Sequence, residues 1–315
     1  MTRKKMILSL IVLAAPLILS GCLELETVVV VEKDGSGTVE QTVYYPEVDL
    51  GGMSFGVEGE EAASFGFEDT EPTAEEKLAA TRAQAEKAAA GMGQGVSLQS
   101  VEALPPKNGR TGVRIVYAFE DINKLQLDPM PEITVGTEGI EIGSTGGAMG
   151  NGDFAMEDQF NEAPAPAPEP APAADEEADK IRFEFTAEPK PTLTIYTPEM
   201  APPPGAEPVD DDPQAKAMAA MMMKQMFDGM LLDFRVRLNG RLTDTNATYA
   251  SRKFNAVGLY RMDFGNLSKN QAALDKLLSM DSTADAEMVK RQLQDPLLVR
   301  YLKLETKERV DVSFE

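Results

Sequence analysis

The sequence predicts an α+β fold, a twisted and mainly antiparallel sheet of hairpins with packed helices, interrupted by Gly/acid-rich and Pro/Ala-rich inserts. Apolar and polar residues alternate in several stretches along the chain, which is the period of a half-buried strand. Turn sequences such as Asp34-Gly35-Ser36-Gly37, Asn108-Gly109 and Asn239-Gly240 punctuate those stretches. Capping pairs and helical apolar spacing mark a few separate helices. The chain therefore divides into residues 1–21, a strand-rich part at 22–142, a spacer at 143–179 and an α+β part at 180–315 that joins the first part in one sheet.

In chain order, Leu23, Leu25, Val29 and Val31 alternate with Glu24 and Glu26, the Asp34–Gly37 turn follows, and Val39, Val43 and Tyr45 resume the alternation. The Val28–Val31 run reads as a strand buried on both faces. Residues 46–71 shift to glycine and acid, with Ser54-Phe55-Gly56-Val57-Glu58 echoed by Ser64-Phe65-Gly66-Phe67-Glu68. This composition predicts a loop, and Phe55, Phe65 and Phe67 are its candidate contacts for an apolar partner. A helix over 73–91 opens with Thr73 and Glu76 spaced as a capping box and stops at Gly91. Leu78 is its only large apolar residue, so it buries little and lies on the sheet surface or projects from it.

Val96, Leu98 and Val101 form the next strand, Asn108-Gly109 turns the chain, and Val113, Ile115, Tyr117 and Phe119 give the cleanest period-two pattern. Residues 120–127 predict one or two helical turns, and Ile133, Val135, Ile140 and Ile142 a hairpin. The run Ala163-Pro164-Ala165-Pro166 and its continuation favour an extended polyproline conformation, so 143–179 reads as a disordered, semi-rigid spacer. Strand signals return at Ile181, Phe183 and Phe185 and at Leu193 and Ile195.

A helix over 214–230 carries Met218, Met221, Met222, Met223, Met226 and Met230 with Phe227. Methionine is flexible and polarizable, so such a run serves either as core or as the wall of an apolar groove, with Met222, Met226 and Phe227 as candidate ligand contacts. Copper capture through thioethers is disfavoured by the lack of histidine or a free cysteine beside them. Phe234, Val236 and Leu238 then alternate with charged residues, and 244–251 read as a polar loop. Val257 and Leu259 give a strand, Leu267, Leu274, Leu277 and Leu278 share a helix face, a further helix precedes Pro296, and Val310, Val312 and Phe314 form a terminal strand.

Composition excludes several functions. With 30 Lys plus Arg against 52 Asp plus Glu, the net charge of −22 argues against nucleic acid and against lying flat on anionic lipid. There is no histidine and one cysteine, so Ser-His-Asp, Cys-His and imidazole or thiolate metal chemistry have no residues to use. No phosphate loop or dinucleotide fingerprint follows a strand. The expectation is a non-enzymatic protein with no cofactor and no metal.

Residues 1–22 combine basic Arg3, Lys4 and Lys5, an apolar stretch from Ile7 to Leu19 too short to span a bilayer, and Leu19-Ser20-Gly21-Cys22. This resembles the signal peptide and lipobox of bacterial lipoproteins. The resemblance implies cleavage before Cys22, a diacylglycerol on its thiol and an acylated amino terminus. Two or more acyl chains anchor stably where one does so marginally. Loss of the three basic residues would take the net charge to −25. The resemblance also implies a lipid anchor in the bacterial cell membrane, with the outer membrane favoured in a two-membrane cell because Leu23, not aspartate, follows Cys22. The lipidated first strand, the Asp34–Gly37 turn and the strand-Asn239-Gly240-strand unit before a helix are similar to mycobacterial LppM-type lipoproteins, which implies binding of amphipathic lipids. The expected function is thus an envelope lipoprotein that binds or scaffolds an envelope protein, or alternatively binds or transfers a lipid or glycolipid along the Met-rich helix.

Overall fold

The computed structural model describes residues 23–46, 73–129, 180–198, 221, 224, 227–279 and 286–315, with the backbone alone at 286–287 and 289–290. The 133–142 hairpin, the 143–179 spacer and the start of the 214–230 helix lie outside the described residues.

The fold is α+β, but the two parts of the chain share two sheets and not the one expected, each sheet taking strands from both sides of 143–179. The larger begins with β1 (Glu24–Val31) and β2 (Gly37–Pro46), an antiparallel hairpin. Its turn is fixed by Asp34, whose Oδ1 accepts from the Ser36 N–H at 3.0 Å and the Ser36 hydroxyl at 2.7 Å. Next come β3 (Val96–Lys107) and β4 (Arg110–Phe119), joined by Asn108 and Gly109 at φ of 56° and 74°. Two positive φ values in succession form the turn whose twist matches a hairpin, which is why Asn-Gly stands there. On its other side β1 pairs with β8 (Leu231–Leu238), in register from Glu24↔Leu231 to Val31↔Leu238. This is the one parallel pair among the described strands. β10 (Ala250–Ser251), β11 (Ala256–Asp263) and β12 (Leu302–Leu304) complete the sheet, in the order β10-β11-β8-β1-β2-β4-β3 with β12 on β11.

The smaller sheet is antiparallel, ordered β5 (Gln126–Leu127), β6 (Ile181–Thr186), β7 (Thr192–Tyr196), β13 (Arg309–Phe314), β9 (Leu242–Thr245). One apolar core takes side chains from both sheets, among them Val29, Val39, Phe119 and Val236 from the larger and Leu193, Ile195, Val312 and Phe314 from the smaller. Helix α1 (Ala74–Gly91) joins the same core through Ala85 and Ala89, and its amino end carries the Thr73/Glu76 capping box. A second cluster, Leu267, Ala273, Leu274, Leu298 and Leu302, is built by α2 (Phe264–Leu267), α3 (Gln271–Leu278) and the segment after α4 (Ala286–Leu293).

Four local expectations change, the first being that the single helix expected to carry Leu267, Leu274, Leu277 and Leu278 is two, α2 ending at Leu267 and α3 starting at Gln271. Residues 120–127 form a 3-10 turn over Ile122–Lys124 followed by β5, because Ile122, Leu125 and Leu127 are buried and draw the chain into the smaller sheet. The expected polar loop at 244–251 contains the end of β9 and all of β10; Thr243 and Thr245 hydroxyls donate to the Ser313 and Asp311 carbonyls of β13 at 2.9 and 2.8 Å, which seats a polar strand. The Met-rich helix does not run to Met230. Met221 and Lys224 are helical, but Phe227–Gly229 bend and turn, with Gly229 at φ 73°.

Candidate functional site

The larger sheet has a concavity on each face, and strand alternation decides which residues line each. On the inward face, β1 presents Leu25, Thr27, Val29 and Val31, and β2 presents Val39, Gln41 and Val43. Thr27 and Gln41 interrupt an otherwise apolar surface. They pair with one another in the β1–β2 register, Phe234 stands beyond Thr27 and Ile115 beyond Gln41. Both are buried, at 1% and 4% exposure.

These side chains line a cavity of about 330 Å³ between the sheet and α1. Its walls include Ile115, Tyr117, Phe234, Met92 and Leu127, and its roof Thr81, Ala85 and Ala88 of α1. The alanine face of the helix explains the space: methyl groups at the closest approach leave a void where leucines would fill the interior. Gln84 and Lys87 of α1, with Gln126, Asp128 and Lys180, make the rest of the lining polar. The Thr27 hydroxyl has no hydrogen-bond partner among the described residues. Leaving a buried hydroxyl unpaired costs about 1–3 kcal/mol. Burial pushes the Tyr117 phenol up to about 12, so it is a neutral donor at physiological pH. Tyr260, packed on Phe234 with ring centroids 5.6 Å apart, is likewise raised by burial, and its hydroxyl donates to the Pro129 carbonyl.

The outward face is charged. β8 presents Asp233, Arg235 and Arg237 there, Arg261 of β11 stands opposite Asp233, and Lys303 of β12 opposite Arg261. With Glu26, Glu40, Tyr249 and Phe254 they line an open trough of about 750 Å³. Arg261 donates to Asp233 at 2.6 Å, Glu40 holds Arg114 at 3.0 Å and Arg237 at 3.5 Å, and Glu26 pairs with Arg235. Burial raises the Asp233 carboxyl above the usual carboxylate range, opposed by the hydrogen bond and charge of Arg261.

Of the residues expected from sequence to contact ligand or lipid, Cys22, Phe55, Phe65, Phe67, Met222 and Met226 lie outside the described residues. Phe227 stacks on Phe264 at 4.8 Å and 23°, and it lines neither concavity. Thr27 and Gln41 were not expected as site residues. Their signal is a polar side chain at an inward position of a strand, opposite a helix rich in alanine. Among the described residues no group of three His, Cys, Asp or Glu could hold a metal ion, and no helix is long and apolar enough to cross a membrane.

No family model matches the sequence, and no curated protein matches it. Among solved structures, the NMR structure of the folded domain of the Mycobacterium tuberculosis LppM protein is similar over 76% of this chain and 82% of that chain, with 10% identity and a TM-score of 0.25.

Proposed function

We propose that the chain is a non-enzymatic, lipid-anchored envelope protein that holds an amphipathic ligand in the cavity beneath α1. The supporting observation is the cavity of about 330 Å³ between the sheet and α1, whose lining mixes Ile115, Tyr117 and Phe234 with polar Gln41, Thr81 and Gln84. Space left in the interior costs packing, and a ligand with an apolar body and an uncharged polar group would suit such a mixed lining. A volume of about 330 Å³ falls at the small end of ligand pockets. Cys22 carries the acyl anchor in this reading. Thr27 is five residues further on, roughly 17 Å of extended strand, so the cavity would stand within reach of the membrane surface.

Native mass spectrometry of the detergent-extracted protein tests the reading. The expected spectrum contains an adduct with the mass of a single-chain amphiphile, and Ala85→Leu, which fills the cavity from the helix side, removes it while far-UV circular dichroism is unchanged. Adduct-free protein on extraction, or an adduct retained by a folded Ala85→Leu variant, would refute it.

A further inference from the structure

A chain of net charge −22 gathers Arg235, Arg237, Arg261 and Lys303 in the outward trough against the three carboxylates Glu26, Glu40 and Asp233. Their spacing follows from the sheet. Neighbouring strands lie about 4.8 Å apart and successive outward residues of one strand about 6.8 Å apart, so the cations form a lattice with that repeat. The carboxylates do not satisfy it fully. Lys303 is exposed and has no ion-pair partner among the described residues. The Arg235 guanidinium is held below the usual arginine range by burial first, then by the charges of Arg261 and Arg237, so these cations repel one another. An entering anion relieves that repulsion, and arginine forks match the oxygens of phosphoryl and carboxylate groups.

The trough wall supplies a second element. Phe254 is 64% exposed in the trough, with Tyr249 in the same lining. Lys253 Nζ lies 5.2 Å from the Phe254 ring centroid. An exposed aromatic ring beside cations offers a flat apolar platform and charged donors together.

We propose that this trough binds an acidic saccharide, with its phosphoryl or carboxylate groups on Arg237, Lys303 and their neighbours and a sugar ring on Phe254. The trough and the cavity beneath α1 lie on opposite faces of one sheet, so either site can fail its test without touching the other.

Calorimetric titration of the full chain decides the matter with three probes: fructose bisphosphate, trigalacturonic acid and maltotriose. The expected result is binding of an acidic probe, weakening as salt rises, with no binding of maltotriose. Binding of the bisphosphate alone assigns phosphoryl recognition, and binding of the galacturonate alone assigns carboxylate recognition. Lys303→Gln should weaken the interaction about tenfold, and Phe254→Ala about fivefold. Both changes fall at exposed positions and should leave circular dichroism unaltered. The proposal is overturned if neither acidic probe binds up to about 1 mM, the weak end of specific affinity. Equal binding of maltotriose, or undiminished affinity in both folded variants, overturns it as well.

Discussion

Thr27 and Gln41 face each other across the β1–β2 pair, both turned into the interior and both almost fully buried. A threonine hydroxyl there, without a partner among the described residues, is a local loss of stability that a valine would avoid.

Thr27→Val should therefore raise stability by about 1 kcal/mol, because a valine fits the same space and removes an unpaired hydroxyl. The same variant should keep its co-purifying ligand, because the Thr27 oxygen is closed off from the cavity. Denaturant unfolding and native mass spectrometry, run on one preparation, read the two effects; a destabilised variant would mean that the hydroxyl is paired in solution.

Gly229→Ala should destabilise the fold by about 1–3 kcal/mol. The residue sits at φ 73°, and a Cβ there would stand 2.0 Å from Arg110 Nη2, whose Nη1 donates to the Gly229 carbonyl at 3.2 Å. A drop in urea midpoint with an unchanged slope checks it.

Asp233 sets a sign for pH dependence. Burial raises its folded-state pKa, so the folded state holds this proton more tightly than the unfolded chain. Its contribution to stability is then greatest at low pH and declines as pH rises from the ordinary carboxylate range through the raised value. The stability of wild type relative to Asp233→Asn should therefore fall as pH rises above the ordinary carboxylate range, from about pH 4 upward. Denaturant midpoints at several pH values measure it. A wild type that gains stability relative to Asp233→Asn as pH rises would mean that the Arg261 bond outweighs burial.

Cys22→Ala should abolish incorporation of a fatty-acid analogue and release the protein from membranes, since acyl chains supply the holding energy in the proposed anchoring. Fractionation after metabolic labelling gives the answer, and a variant still labelled and membrane-bound would place the anchor elsewhere.

Much of the sheet is legible in the sequence because its inner face repeats every second residue, as in Val113, Ile115, Tyr117 and Phe119, and because Asn108-Gly109 declares its turn. The neighbour of each strand is less so. Nothing local to Val28–Val31 specifies β8 as its parallel partner, since that pairing is decided by the packing of distant segments. β9 is hidden for a different reason: Thr243 and Thr245 make a strand out of a polar stretch through hydroxyl bonds to a neighbour that the pattern does not show. The cavity escapes periodicity because it consists of missing volume. Alanines 85 and 88 announce a helix that forms readily, and only the opposing Thr27 and Gln41 turn that smallness into a space.

The β1–β8 pairing also sets an order of events in time. β1 is an interior strand of the larger sheet, yet its partner starts at Leu231, 207 positions after Glu24. The β1–β2 and β3–β4 hairpins can pair locally, whereas closing β1 onto β8 must pay the entropy of a very long loop. Until then β1 is an open edge, with Val28, Val29, Val30 and Val31 in the strand, the kind of surface that recruits other chains. Refolding that is slow and depends on protein concentration is the expected kinetic consequence of joining strands so far apart in the chain.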